Sequence, residues 1–269
     1  MQLFITSLNS GSNGNCYYIG NEREAILVDA GISCRETEKR LLRLGLSIQK
    51  VKAIFVSHEH SDHISGIPVL AKKYRLPVYI TANTRANIRH SWDHVKVVPF
   101  RAYEPVAIGE LLVTGFPKLH DAADPHSFTI SYQNIKVGVL TDIGSPCNHV
   151  VRQFEQCHAA FLEANYDDDL LENGYYPYYL KNRIRGNKGH LSNKQALELF
   201  TSYKPAFMSH VLLTHLSKNN NCPKLVKQIF SEQAQGTEII VASRTEETPV
   251  YQISATTERV PQITMDYLG

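Results

Sequence analysis

The residues best suited to chemistry stand together in His58-Glu59-His60-Ser61-Asp62-His63, where three imidazoles and the carboxylate of Asp62 fall within six positions. The run Val51-Lys52-Ala53-Ile54-Phe55-Val56 before it is apolar and β-branched and reads as a buried strand. Ile64 to Tyr74 after it reads as a helix, so the cluster falls on a strand-to-helix loop. Side chains two apart in an extended loop point the same way, so His58 and His60 can close on one cation. Asp62 and His63 lie where the chain turns into the helix and can reach a second. Imidazole nitrogen and carboxylate oxygen suit zinc, and manganese or iron tolerably. A histidine-rich surface loop is the bland alternative, but a buried strand would not deliver one.

Further ligand-type side chains follow other predicted strands. His120 comes just after the strand 110–116, with His126 as a rival in the same polar loop. Asp142 ends the strand 136–141 and reads as a bridging carboxylate, with Gly144 letting the chain turn. His215 follows the strand 207–213 as His58 follows its own. Asp29 ends the strand 25–28, where a carboxylate is costly unless satisfied; it can hydrogen-bond a ligand histidine from behind. His90 and His94 read as structural or exposed, His210 as a satisfied core histidine, and Glu59 as no ligand.

The elements that must position these groups run in an order of strands first, then strand–helix units. Other strands are read at 2–8, 16–19, 77–80, 95–99, 127–131, 159–162, 238–242 and 249–253. Other helices are read at 35–45 (stopped by Gly45), 84–90, 194–203 and 223–234. The loop Ser10-Gly11-Ser12-Asn13-Gly14-Asn15 reads as a hairpin connection, with a substrate contact as a lesser possibility. The 269 residues form a single α/β domain with its core at about 2–253 and a short, weakly structured tail beyond Thr256.

Hydrophobic content of 43% and charged content of 20% are ordinary for a globular protein with a full core. A net charge of +2 means that any nucleic-acid contact must come from a local patch. The five cysteines are odd in number and not closely paired, so they read as free thiols of a cytoplasmic protein. No apolar run is long enough to span a membrane, Met1 to Ile5 lacks the marks of a signal peptide, and no obligate protein partner is indicated.

A local patch exists at 175–190. Tyr175, Tyr176, Tyr178 and Tyr179 precede Lys181, Arg183, Arg185 and Lys188, with no acid among them. Rings stack on bases and cations neutralise phosphate; a helix packing its tyrosines on the core is an equal reading. The patch runs into Gly189-His190-Leu191-Ser192-Asn193, where Ser192 or Asn193 can cap the next helix. His190 then stands in a tight loop. Asp167, Asp168 and Asp169 read as a solvated helix start.

The set His58-x-His60-x-Asp62-His63, with Asp29, His120, Asp142 and His215 in order at strand ends, resembles the signature of the metallo-β-lactamase superfamily. The stretches Ser10–Asn15, His120–Pro125, Gly189–Asn193 and His215–Asn221 are similar to those of its WalJ/YycJ-type exonucleases. One departure is Tyr166, where relatives often carry histidine. The resemblance implies a four-layer αββα sandwich, two divalent metal ions and 5′ to 3′ DNA exonuclease activity. The metals would be zinc or manganese, with iron or magnesium as alternatives. By this resemblance His58, His60 and His120 would hold one metal, Asp62, His63 and His215 the other, and Asp142 would bridge. Glu163 and His190 match a proton-handling pair of similar phosphodiesterases, so Asp62, Glu163 and His190 would carry the chemistry. Two such metals bring the pKa of water to roughly 7 and offset charge on phosphate.

Three rival functions share such a site. A tRNA- or RNA-processing nuclease would carry a long clamping arm between the positions of His120 and Asp142, where this chain has only a loop and two strands. Nucleases with a large added domain need more chain than lies between Asp142 and His215. A thioester, lactone or β-lactam hydrolase has no need of the Glu163–His190 pair or the basic tyrosine-rich approach. A non-enzymatic metal-binding regulator is the weakest reading.

Overall fold

The computed structural model describes residues 2–89 and 91–255. The strands in chain order are β1 (Leu3–Asn9), β2 (Cys16–Gly20), β3 (Ala25–Val28), β4 (Val51–Phe55), β5 (Val78–Ile80), β6 (Val97–Pro99) and β7 (Val106–Ile108). They continue as β8 (Leu111–Pro117), β9 (His126–Tyr132), β10 (Ile135–Leu140), β11 (Ala159–Glu163), β12 (His210–Thr214), β13 (Glu238–Val241) and β14 (Tyr251–Ile253). The α-helices are α1 (Cys34–Arg43), α2 (Ser61–Ile64), α3 (Ile67–Tyr74), α4 (Ala82–Ala86), α5 (Asn148–Phe154), α6 (Asp168–Asn173), α7 (Tyr178–Arg185), α8 (Asn193–Tyr203) and α9 (Pro223–Ser231).

The strands form two sheets, ordered β14-β1-β2-β3-β4-β5-β6 and β13-β12-β11-β10-β9-β8-β7. Each is antiparallel on one side and parallel on the other: β3 to β6 run parallel in the first, and β10 to β13 in the second. The inner faces close on one apolar layer, in which Tyr17 meets Phe161 and Phe55 meets Phe128 across the gap, with centroids 5.0 and 5.7 Å apart. Outside, α1 and α3 cover the first sheet through Leu41 and Leu70. α5, α8 and α9 cover the second through Phe154, Phe200 and Phe230. β2, β3 and β11 are buried on both faces, as strands with a sheet on one side and a helix on the other must be. This is the expected αββα sandwich.

The boundaries differ in places. The helix read from Ile64 to Tyr74 is two pieces, α2 and α3, parted at Gly66. The amide of Gly66 donates to Ala30 O at 2.8 Å, and a Cβ there would stand 1.9 Å from Ile32 O. Only glycine lets this bend dock against the exit of β3. β7 is a further strand, Val106–Ile108, that pairs antiparallel with β8 at the edge of its sheet. The strand expected at 207–213 begins at His210, which is therefore half-buried at a strand start, bonded to Ser209 Oγ at 2.8 Å, and not a core residue. The helix read at 84–90 ends at Ala86. His94 is exposed, as expected, while His90 and the tail beyond Thr256 lie outside the described residues.

Candidate metal centre

The carboxyl ends of β3, β4, β10, β11 and β12 meet at one edge of the sandwich. In parallel sheets this edge is where ligands bind, because the chain leaves the strands there in loops. Three of the exits turn through the left-handed region: φ is 59° at Asp29, 54° at Asp142 and 53° at His215. That conformation is costly for a residue with a Cβ, and it persists where the surroundings over-determine it. It swings each side chain off its strand into the gap between the sheets.

The gap holds a cleft of about 300 Å³ lined by Ser12, His60, Ser61, Asp62, His120, Asp121, Asp142, Arg183, His190 and His215. One atom each of His58, His60 and His120 can lie within 4.8 Å of the others, and the same holds for Asp62, His63 and His215. Asp142 stands between: its Oδ2 is 3.3 Å from His63 Nε2, and its Oδ1 is 3.9 Å from His120 Nε2 and 3.5 Å from His215 Nε2. His58 Nε2 and His60 Nδ1 face each other at 3.0 Å. His126 is not in the set; its Nδ1 bonds Asp124 O at 2.9 Å and its ring packs edge-on against Phe100. Glu59 also points away and accepts the amide of Ala123 at 2.8 Å.

Three of the imidazoles, those of His58, His63 and His120, are held from behind. Asp29 Oδ2 accepts from His63 Nδ1 at 2.7 Å, and Asp29 also takes the amide and hydroxyl of Ser57, both at 2.8 Å. Ser57 Oγ lies 2.9 Å from His58 Nδ1, and His120 Nδ1 donates to Gly189 O at 3.0 Å. Such contacts fix which ring nitrogen is left free toward the cleft. Burial pushes the pKa of His58 well below its usual value and that of His120 down to about 3, so both are neutral donors. Burial acts the same way on His63 and His215, but carboxylates win. Asp142, Asp29 and Asp62 hold His63 well above the usual value, and Asp142, Asp62 and Glu163 bring His215 to about 10.

These residues fit divalent cations. Nε2 of His120 and Oδ2 of Asp142 are buried without a hydrogen bond among the described residues. A buried polar atom without a partner is expensive, and here both stand among other lone pairs aimed at the same space. Three carboxylates, Asp62, Asp142 and Glu163, converge there too. Two groups of histidine and carboxylate donors are what two divalent ions require.

Glu163, at the end of β11, is fully buried and faces His190, with Oε1 2.7 Å from His190 Nδ1 and 3.5 Å from His215 Nδ1. Its Oε2 accepts the amides of Ile143 at 2.6 Å and Leu191 at 3.3 Å. Burial alone would raise its pKa; the charge and hydrogen bond of His190 outweigh that and hold it at about 2. The remaining edge of His190 faces the cleft.

Two asparagines, Asn15 and Asn221, complete the site; both lie in stretches that carry the family resemblance, but the sequence assigned them no role of their own. Asn15 Nδ2 lies 3.2 Å from Asp62 Oδ2 and 3.1 Å from His63 Nε2, while its Oδ1 accepts from Gly11 N and Tyr17 OH at 3.0 and 3.1 Å. The loop 10–15 is thus part of the site as well as a hairpin connection, and Ser10 Oγ takes the amide of His215 at 2.8 Å. Asn221 Nδ2 donates to the carbonyls of Ala164 and Asn165 and to Asn193 Oδ1, at 2.9, 3.0 and 2.8 Å. It clamps together the chain after Glu163, the loop after His215 and the start of α8, whose capping box uses Ser192. Lys118 is a further buried group; its Nζ donates to Thr141 O at 2.6 Å, under Asp142. The run of asparagines at 219–221 was the available signal. Tyr166 is buried, pairs with Ser192 through its backbone and stays outside the cluster.

The basic segment divides. α7 carries three of its four cations, but Arg185 bonds Glu172 at 2.9 Å, Lys181 donates to the carbonyl of Glu172, and Arg183 pairs with Asp121 at 2.6 Å. Only Arg183 lines the cleft. Lys188 is exposed in the loop before His190.

This fold and donor set define a metal-dependent hydrolase scaffold, and the chain belongs to the beta-lactamase superfamily: the family described as "Beta-lactamase superfamily domain" matches residues 24–216. It is 34% identical over 243 residues to a Bacillus anthracis protein named exodeoxyribonuclease YycJ, covering 88% of this chain and 92% of that one. It is 31% identical over 231 residues to exodeoxyribonuclease WalJ of Streptococcus pneumoniae, covering 84% and 86%. Among solved structures, the metallo-beta-lactamase fold protein YhfI from Bacillus subtilis matches with a TM-score of 0.71 at 18% identity, over 94% of this chain and 100% of that one.

Proposed function

We propose that this chain is a metal-dependent DNA exonuclease. In this reading His58, His60 and His120 hold one cation, Asp62, His63 and His215 hold the second, and Asp142 stands between them. Zinc or manganese suits the donors best, with iron or magnesium as alternatives. When bound, such a pair activates water and offsets charge on the phosphate.

The chain's own residues do the rest. Asp29, Ser57 and Asn15 hold the donors. Glu163 accepts from Nδ1–H of His190 throughout, so that a doubly protonated ring can hand its Nε2 proton to the departing oxygen and be left as the neutral Nδ1–H form. Arg183 and Lys188 neutralise the strand on the approach; Lys181 and Arg185 contribute after releasing Glu172. The observation that carries the reading is the 2.7 Å contact of Glu163 with His190 at the rim of the donor cluster. A carboxylate–imidazole pair there serves a poor alkoxide leaving group, which a thioester hydrolase, expelling a thiolate, does not face. The names of the two relatives support DNA over RNA, and family resemblance supports attack from the 5′ end.

The test is a panel. Protein loaded with zinc, manganese or magnesium is given end-labelled single- and double-stranded DNA, RNA, precursor tRNA and a thioester. DNA shortened progressively from the 5′ end supports the proposal; cleavage of RNA alone or of the thioester alone contradicts it. We place the protein in the cytoplasm, since its five cysteines are free thiols and no helix among the described residues could cross a membrane. Recovery from an extracellular fraction would contradict that.

A further inference from the structure

Beside the metal cleft lies a second cavity of about 200 Å³. The two share Ser12, Asp121, Arg183, His190 and His215, so one opens into the other. Their walls differ in kind. The cleft is lined by charge, whereas the far side of the second cavity is Tyr176, Leu180, Ile184 and Leu216. Tyr176 is held in place, its hydroxyl accepting from Asn219 Nδ2 at 3.1 Å. Leu180 and Ile184 are four apart on α7 and share a face. A helix normally spends such an apolar face on a core, yet α7 has no fully buried residue. These two side chains line an opening instead.

His190 stands in the partition between the two spaces. In the reaction proposed above, on which this inference rests, His190 protonates the leaving oxygen. A group in the second cavity is therefore joined to phosphorus through that oxygen. It must offer an apolar face to Tyr176, Leu180, Ile184 and Leu216 and be about one ring system in size, since the cavity is smaller than the ~300–1,000 Å³ of a drug-sized pocket. Asn165 and Ser217 offer polar contacts at its edge. We infer that this cavity receives the base of the nucleotide on the leaving side of the scissile bond. That nucleotide must then be unstacked before cleavage, so a single-stranded or frayed end is the form that enters.

The test uses metal-loaded protein and short single strands carrying one abasic residue, placed on either side of the terminal linkage. Product ends identify which oxygen leaves. Removing the base on the leaving side should lower kcat/KM about 5- to 150-fold, the range for loss of one base–aromatic stack. Removing the base on the other side should cost much less. Tyr176→Ala and Ile184→Ala should each narrow the gap between intact and abasic strands, so either variant suffices if the other fails to fold. Equal turnover of intact and abasic strands, or a loss confined to the other side, would overturn the inference and leave the nuclease reading standing. Absence of turnover on every DNA would overturn both.

Discussion

Glu163 and His190, 27 residues apart in sequence, meet through a 2.7 Å contact between a fully buried carboxylate and a partly exposed imidazole. The buried partner orients and the exposed partner faces the cleft. His190 belongs to neither donor trio, so His190→Ala should keep both metals and lower DNA hydrolysis about 100- to 10,000-fold. Metal content and turnover measured on one sample check this. Normal turnover in His190→Ala would remove it as the proton donor.

Asp29 fixes His63 and Ser57 from within the core, and it does so with φ at 59°. Asparagine tolerates that conformation well, so Asp29→Asn removes charge with little backbone strain. Metal affinity should fall about 10- to 100-fold while the fold persists. Competition with a chelator, alongside a thermal melt, separates the two effects.

Asn15 touches Asp62, His63 and Tyr17 without being charged. Asn15→Ala should weaken the second cation, which Asp62 and His63 would hold with His215, more than the first. Titration of the apo-protein should show one of two binding steps moving to higher metal concentration. Two unchanged steps would reduce Asn15 to a hairpin residue.

How much of this was legible from sequence follows the range of each contact. The candidate ligands stood out because the loop 58–63, His120, Asp142 and His215 each follow an apolar strand, where a polar side chain is conspicuous. His120 could be preferred to His126 on that ground alone. The roles of Asn15 and Asn221 were not legible beyond the resemblance of their stretches, because asparagine in a loop is ordinary turn chemistry and Asp62, Ala164 and Asn193 are brought near them only by the fold. The break at Gly66 was hidden for the same reason, since what it avoids is a carbonyl of Ile32. The basic segment looked free of acids because Glu172 and Asp121 lie outside it.

Away from the site, Glu38 ties α1 to α3, accepting from Lys73 Nζ at 2.7 Å, Tyr74 OH at 2.9 Å and Cys34 Sγ at 3.0 Å. The hydrogen bonds of Lys73 and Cys34 lower its pKa to about 2. A depressed carboxylate pKa contributes stability above the ordinary value of about 4.3, and the contribution fades as pH falls toward 2. The contact is solvent-accessible, so its worth is under ~1 kcal/mol. Glu38→Gln should lower the melting temperature slightly at pH 7, and that difference should shrink below about pH 4. A difference that stays constant across this range would contradict the assignment.

In the reading proposed above, two cations held by seven side chains make this chain a nuclease. Titrating zinc or manganese into metal-free protein while following release of nucleotides from end-labelled DNA tests it most directly. Activity should rise to a plateau at two equivalents per chain, and Asp142→Asn should abolish both tight binding and release. Full activity at one equivalent, or two tightly bound metals with no DNA degraded, would contradict it.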